Sequence, residues 1–321
     1  MRYYIGVDIG GTNIAIGVVD ENYNIINKTS VKTDAPRSAD SIIDEILDAC
    51  YYLCNNSGVP FSVIEGIGIA CPGLIKDGVV ISAPNLKFEN INLKEKFSKN
   101  VKKICGICND ANAAALGEYV KGIGKQYHSL VALTIGTGVG GGMVLDGKIW
   151  DGFNGAGAEI GHIVIVPEGR LCGCGSRGCL ECYCSATALI NDTKEAMLNN
   201  KESKLWQICD LLEKVNGKTV FDAAALGDEV SEKLIDRFIK YLGIGLVNII
   251  TLIQPEVICI GGGMSTEGDR LIKPLNAAIL NNGVIRSLKN KPKIIAASLF
   301  NDAGIVGAVA NVIGEMKNEK K

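Results

Sequence analysis

Two stretches of this chain share one pattern. "VDIGGTNIAIGVVD", residues 7–20, and "LTIGTGVGGGMVLD", residues 133–146, align without a gap. Ile9 falls on Ile135, Gly10 on Gly136, Val18 on Val144 and Asp20 on Asp146. Each is an apolar run, a glycine-rich turn, a second apolar run and a turn signal, which reads as a β-hairpin with a glycine-lined bend. The copies lie about one domain length apart, so the pattern predicts a duplicated domain. At 321 residues the chain can hold two domains with real cores.

Between the copies the sequence alternates as an α/β chain does. "SIIDEILDACYYLC" from Ser41 carries apolar residues at the spacing of a helix face. "IEGIGIACPG" predicts a strand ending at Pro72-Gly73, and "KICGICND" predicts another, followed by a helix in "ANAAALGEYVKG". "EVICIGGG" (256–263) predicts a strand running into three glycines. The crossover between halves is expected within Gly117–Gly124, and "NDAGIVGAVANVIGEM" predicts a helix that returns to the first domain. The expected division is 1–118 plus 303–321 for a smaller domain and 119–302 for a larger one.

Composition excludes several classes. Hydrophobic residues make up 47% and charged residues 21%, which is ordinary globular usage and argues against disorder. A net charge of -2 gives no footprint for nucleic acid. The longest apolar segment, "YLGIGLVNIITLI" from Tyr241, stops at Gln254-Pro255 and reads as a buried helix, too short to span a bilayer. "MRYYIGVDIGG" meets Asp8 before a signal-peptide core could form, so a reducing cytoplasmic location is expected. Cys50, Cys54, Cys71, Cys105, Cys108, Cys209 and Cys259 lie in apolar surroundings and read as small core residues. Cys105 and Cys108 form a C-x-x-C, but in a run that looks like a buried strand.

Glycine-lined turns let backbone N–H groups approach an anion with no Cβ in the way. "DIGGTN" offers Gly10, Gly11, Thr12 and Asn13, with Asp8 beside them as a carboxylate suited to Mg²⁺. "IGTG" offers Gly136, Thr137 and Gly138, and "IGGG" offers Gly261, Gly262 and Gly263. Neither hairpin turn fits G-x-x-x-x-G-K-[ST], so the pattern favours nucleotide binding of another kind.

The cysteine-rich stretch sets Cys172, Cys174 and Cys179 as C-x-C-x₄-C, with His162 ten positions before the first. Three thiolates and one imidazole suit a closed tetrahedral zinc site of structural type. Cys182 and Cys184 fall outside this spacing and read as core residues of a following helix. Glu159 and Glu181 flank the ligands, so one ion would fix two carboxylates able to accept hydroxyl donors. Asp110, where a strand meets a helix, suits a base in phosphoryl transfer. Asn109 or Asp110 could equally cap that helix, and the residues alone leave both roles open.

"DIGGTN", "TIGTGVGGG", "GAEIGH", "CGCGSRGCLE" and "ICIGGG", in that order, resemble the bacterial ROK-family sugar kinases along essentially the whole chain. Within that family "NGAGAEIGH" and "APNLKF" are most similar to ATP-dependent glucokinases. The resemblance implies an α/β fold of two RNase H-like domains, of the actin/Hsp70/sugar-kinase type, with ATP in an interdomain cleft. It implies Asp110 as the base, with Gly73, Asn85, Asn109, Asp110, Glu159, His162 and Glu181 at the sugar, and His162 also on zinc. Glucose phosphorylated at its 6-hydroxyl is the expected reaction. N-acetylmannosamine, N-acetylglucosamine and fructose are the alternative substrates, discriminated around Glu159 and Asn154. The family also holds sugar-responsive repressors, but the hairpin begins by Tyr3 and leaves no room for their winged helix-turn-helix. Family members are usually dimers or tetramers, so a homo-oligomer is expected.

Overall fold

A computed structural model describes residues 1–318. The chain opens with β1 (Tyr3–Ile9), β2 (Asn13–Asp20), β3 (Ile25–Lys32), α1 (Ala39–Ser57) and β4 (Ile64–Cys71). Next come β5 (Leu74–Lys76), β6 (Val79–Ala83), β7 (Phe88–Asn92), α2 (Leu93–Val101), β8 (Ile104–Asn109) and α3 (Asp110–Val120). The second repeat starts with β9 (Ser129–Ile135), β10 (Val139–Leu145) and β11 (Lys148–Ile149). Helices α4 (Glu181–Cys184), α5 (Ala186–Asn199), α6 (Leu205–Ile208), α7 (Thr219–Ala225) and α8 (Glu229–Ile253) follow. The chain then runs through β12 (Val257–Gly261), α9 (Asp269–Ile279), α10 (Gly283–Ser287), β13 (Lys293–Ala296) and α11 (Ala303–Asn318).

The first sheet has strand order β3-β2-β1-β4-β8, and the second has β11-β10-β9-β12-β13. The two orders are the same when strands are ranked within each repeat. The register that sets Ile9 on Ile135 also sets all of β1 on β9 and the start of β2 on that of β10. The duplication is therefore structural. β1, β2 and β3 pair antiparallel, whereas β1, β4 and β8 run parallel.

By packing, the chain divides into two compact units. Among the described residues one comprises 1–132, 142–158 and 298–318, and the other 133–141 and 159–297. The first unit is built on an alternation the sequence states plainly. In β1, Ile5, Val7 and Ile9 face a large core with Ile42, Ile43 and Ile46 of α1. Tyr4 on the opposite face packs with Ile305, Val309 and Val312 of α11. Successive strand residues point to opposite faces, so Gly6 and Asp8 share the face of Tyr4. On that side the sheet is lined by small residues, and α11 comes down onto it. A Cβ on Gly6 would lie 2.2 Å from the Ile305 carbonyl oxygen, and one on Gly68 would lie 1.8 Å from that of Ala308. Branched residues on one face and glycine on the other fix which helices approach closely.

Helix ends follow ordinary capping chemistry. Ser38 caps α1 by accepting from the Ser41 N–H, and Gly58, at φ 69°, ends it. Asp228 caps α8 through Ser231, and Pro255 forbids its continuation after Gln254. This helix is the apolar segment read as buried. Among the described residues no helix is long and apolar enough to cross a membrane. The seven scattered cysteines are all buried. Cys105 and Cys108 lie on opposite faces of β8, in different core clusters, so they cannot act as a pair. One cysteine departs from expectation. Cys184 is buried, but Cys182 is half-exposed, its sulfur resting 3.6 Å from the Leu171 carbonyl oxygen, because α4 is a single turn at the surface of the cysteine-rich loop.

Candidate functional site

In the first unit, parallel pairing brings chemistry to the carboxyl ends of adjacent strands, the usual place for ligands in such sheets. Asp8 of β1 lies beside Ala70 of β4, and Cys71 of β4 lies beside Asn109 of β8. Asn109 is the cap of α3: its Oδ1 accepts from the Asn112 N–H at 3.1 Å. Its Nδ2 donates to the Gly73 carbonyl oxygen at 3.0 Å, which ties two of the expected sugar residues together. Gly73 has φ 101°, and a Cβ there would lie 2.2 Å from the Ser82 carbonyl oxygen, so only glycine fits. Asn85 is exposed on the turn between β6 and β7, closed by the Leu86 N–H donating to the Ala83 oxygen.

Capping by Asn109 relieves Asp110 of that duty. Asp110 accepts from the Ala111 N–H at 2.9 Å, and burial, outweighing the hydrogen bonds it receives, pushes its carboxyl above the ordinary range. Asp8 is raised to about 7, chiefly by burial and then by the charge of Asp110. Among the described residues no cationic side chain contributes to either shift. Two desolvated carboxylates, near enough for the charge of Asp110 to raise Asp8 and with no cationic contribution to either, are a donor set that fits a hard divalent cation.

The turn from Gly10 to Asn13 is closed by the Gly10 N–H donating to the Asn13 oxygen at 3.0 Å. Thr33, buried just after β3, braces it. Its hydroxyl donates to the Gly10 oxygen at 2.6 Å, and its N–H donates to the Thr12 oxygen. A Cβ on Gly11 would meet nothing within 4 Å, so the outer side of the turn is open to a ligand. No spacing in the sequence points to Thr33, because the contact is made by sheet pairing rather than by a motif.

The second unit carries the other turns and the cysteine knuckle. Gly136 N–H donates to the Gly138 oxygen at 3.0 Å, and Gly136 also leaves open space where a Cβ would be. Gly262, at φ 75°, packs against the end of β9, where a Cβ would lie 2.5 Å from the Ile135 oxygen. The two glycine turns of this unit therefore meet at Ile135. Gly261 is buried in β12, while Thr137 and Gly263 are exposed.

The ligand atoms of His162, Cys172, Cys174 and Cys179 all lie within 4.8 Å of one another. Zinc–sulfur bonds of about 2.3 Å in a tetrahedron imply sulfur–sulfur edges of about 3.8 Å. Cys174 and Cys179 sulfurs are 3.8 Å apart, and the Cys172 sulfur is 3.6 Å from His162 Nδ1. The donor set fits zinc in spacing as well as in chemistry. Gly175 and Gly178, at φ 89° and 80°, let the loop turn back on itself. The Ser176 N–H, ahead of Cys172, pulls the Cys174 thiol down to about 7, toward the thiolate a metal requires.

Glu181 joins the knuckle to the Gly136–Gly138 turn. Its Oε2 accepts from the Val139 N–H at 2.9 Å, just after the Gly136–Gly138 turn, and its Oε1 lies 3.9 Å from the Cys172 sulfur. A Cβ on Gly138 would lie 2.3 Å from Oε2, so that glycine admits the carboxylate. Glu159 is exposed, at the start of the short turn that carries His162.

Residues 4–315 match the family model described as "ROK family". The chain is 35% identical to a glucokinase of Thermotoga maritima, covering 97% of each chain. It is 37% identical to a glucokinase of Streptomyces coelicolor, covering 96% of each. Among solved structures, a ROK family glucokinase from Streptomyces griseus in complex with glucose and AMPPNP superposes with a TM-score of 0.80 at 36% identity, over 95% of this chain and 97% of that one. The family match over residues 4–315, with 35–37% identity over nearly the full length and the close superposition, has one conclusion: this chain belongs to the ROK family and has its α/β fold of the actin/Hsp70/sugar-kinase type.

Proposed function

We propose that the protein is an ATP-dependent glucokinase, transferring the γ-phosphoryl group of ATP to the 6-hydroxyl of glucose. The observation that carries this reading is Asp110. Asn109 caps the helix in its place, and burial raises its proton affinity, which is what a base toward a hydroxyl needs. Asp110 would take the O6 proton as O6 bonds the γ-phosphorus and the bond to the ADP oxygen breaks. Asp8 would hold Mg²⁺, which when bound neutralises phosphate charge. Backbone groups of Gly10, Gly11, Thr12 and Asn13, of Gly136, Thr137 and Gly138, and of Gly261, Gly262 and Gly263 would hold the nucleotide. Gly73, Asn85, Asn109, Glu159, His162 and Glu181 would position the sugar, with zinc on His162, Cys172, Cys174 and Cys179 keeping Glu181 in place.

Glucose itself rests on the named relatives in Thermotoga and Streptomyces. The duplication boundary is proposed at 118/119, with 303–321 returning to the first repeat, and the active form is proposed to be a cytoplasmic homo-oligomer, a dimer or tetramer. A coupled ADP-release assay across glucose, fructose, mannose and the N-acetylated hexosamines tests the reading. Glucose should give the highest kcat/KM. Preference for N-acetylmannosamine or N-acetylglucosamine would overturn the substrate, and no ADP release with any sugar would overturn the activity.

A further inference from the structure

Asp8 does not sit in open space. It lies directly against Gly304, in the first turn of α11. A Cβ built on Gly304 would be 2.2 Å from Asp8 Oδ2, 2.5 Å from its Cγ and 3.1 Å from its Cβ. All three atoms belong to a short side chain with one torsion between backbone and carboxyl. It cannot bend away at its tip as a lysine would; the whole carboxylate would have to rotate out of its position.

The approach of α11 to β1 is fixed independently of Asp8. One residue after Gly304, the Ile305 carbonyl oxygen lies over Gly6, which shares the face of Asp8 on β1. Ile305 Cγ2 lies over Gly17 of β2 in the same way. Further along, Ala308 lies over Gly68 of β4, and Gly307 lies against the Ala113 oxygen of α3. The helix is therefore held to the sheet at several points by missing β-carbons. Its first turn has no freedom to retreat from Asp8. Helix stability does not ask for glycine at 304, since alanine is the better helix former.

We infer that Gly304 is a positioning residue, whose bare α-carbon sets where the Asp8 carboxylate stands. This rests on the reading of Asp8 as the residue that holds the catalytic cation. A methyl group at 304 would displace that carboxylate while leaving the sugar residues Asn85, Asn109 and Gly73 untouched.

The test compares the parent with Gly304→Ala, Gly314→Ala and Asp8→Asn. Gly314 lies on the same helix with nothing within 4 Å of a built Cβ, so its variant controls for the substitution itself. Mn²⁺ affinity of the nucleotide complex is read by electron paramagnetic resonance, Mg²⁺ dependence by steady-state rate, and glucose Kd by calorimetry. Gly304→Ala should weaken Mn²⁺ binding and lower kcat by at least about tenfold each, with glucose Kd within twofold and Gly314→Ala unchanged. Parent-like metal binding and Mg²⁺ dependence in Gly304→Ala, beside their loss in Asp8→Asn, would overturn the positioning role alone. Parent-like metal dependence in Asp8→Asn would overturn the reading of Asp8, and the inference with it. Should Gly304→Ala fail to fold, a crystal structure of the unmutated enzyme with Mg²⁺ and a nucleotide analogue decides. The carboxylate staying against Gly304 supports the inference, and its departure sinks it.

Discussion

Asp110 owes its availability to the residue before it. Either Asn109 or Asp110 could cap α3, and the backbone gives that place to Asn109. Asp110→Asn would keep the size and accepting oxygen of the side chain but could not take a proton. We expect kcat to fall at least about a hundredfold with glucose binding retained, by steady-state kinetics and calorimetry. A variant within a few-fold of the parent would make Asp110 structural. Asp8 gives a separate pH prediction. Its folded value is raised to about 7 from an ordinary 3.8. The folded state therefore holds a proton that the unfolded state releases, and the charged form is the unfavourable one. The destabilisation is absent below the ordinary range, grows between 3.8 and 7, and is full above 7. In metal-free protein Asp8→Asn should thus raise Tm by a few degrees at pH 8 and leave it little changed near pH 3.5, by calorimetry, while abolishing Mg²⁺-dependent turnover. An unaltered Tm at pH 8 would mean that the carboxylate is better solvated than its burial implies.

Single elements are held by contacts that do not show as motifs. Glu118, near the end of α3, is buried and accepts from the Ser298 N–H at 2.8 Å, the Leu299 N–H at 2.7 Å, the Ser298 hydroxyl at 3.0 Å and the Ile123 N–H at 3.2 Å. It fastens the segment leading into α11 to the segment leaving α3. Glu118→Ala would strand these donors and should cost at least about 3 kcal/mol in urea unfolding. At the knuckle the expected effects are coupled differently. Cys179→Ser should lose stoichiometric zinc, by metal analysis, and weaken sugar binding, because Glu181 two residues later braces the Val139 turn. A zinc-free variant with unchanged glucose KM would separate the metal from the sugar site.

At the scale of the molecule, α11 is part of the first unit's core although nearly the whole second repeat separates it from that unit's sheet in sequence. Ile305, Val309 and Val312 cover the Tyr4 and Val19 face. Deleting 298–318 would leave that face bare and strip Glu118 of its bonds from Ser298 and Leu299. We expect the first unit to lose protease resistance and the protein to precipitate, as read by limited proteolysis and light scattering. A truncated protein that stays monodisperse would contradict this dependence. Much of this organisation is written locally. The repeated hairpins, the strands that end in glycine, the C-terminal helix and the cluster of His162 with Cys172, Cys174 and Cys179 are legible because each depends on residues close in sequence: alternation, turn chemistry, ligand spacing. Other features are not local. Which of Asn109 and Asp110 caps the helix, that Cys182 faces partly outward, that Thr33 braces the Gly10 turn and that Gly304 meets Asp8 were decided by tertiary structure. Each depends on which faces the sheet pairing brings together, and a sequence lists residues without stating that pairing.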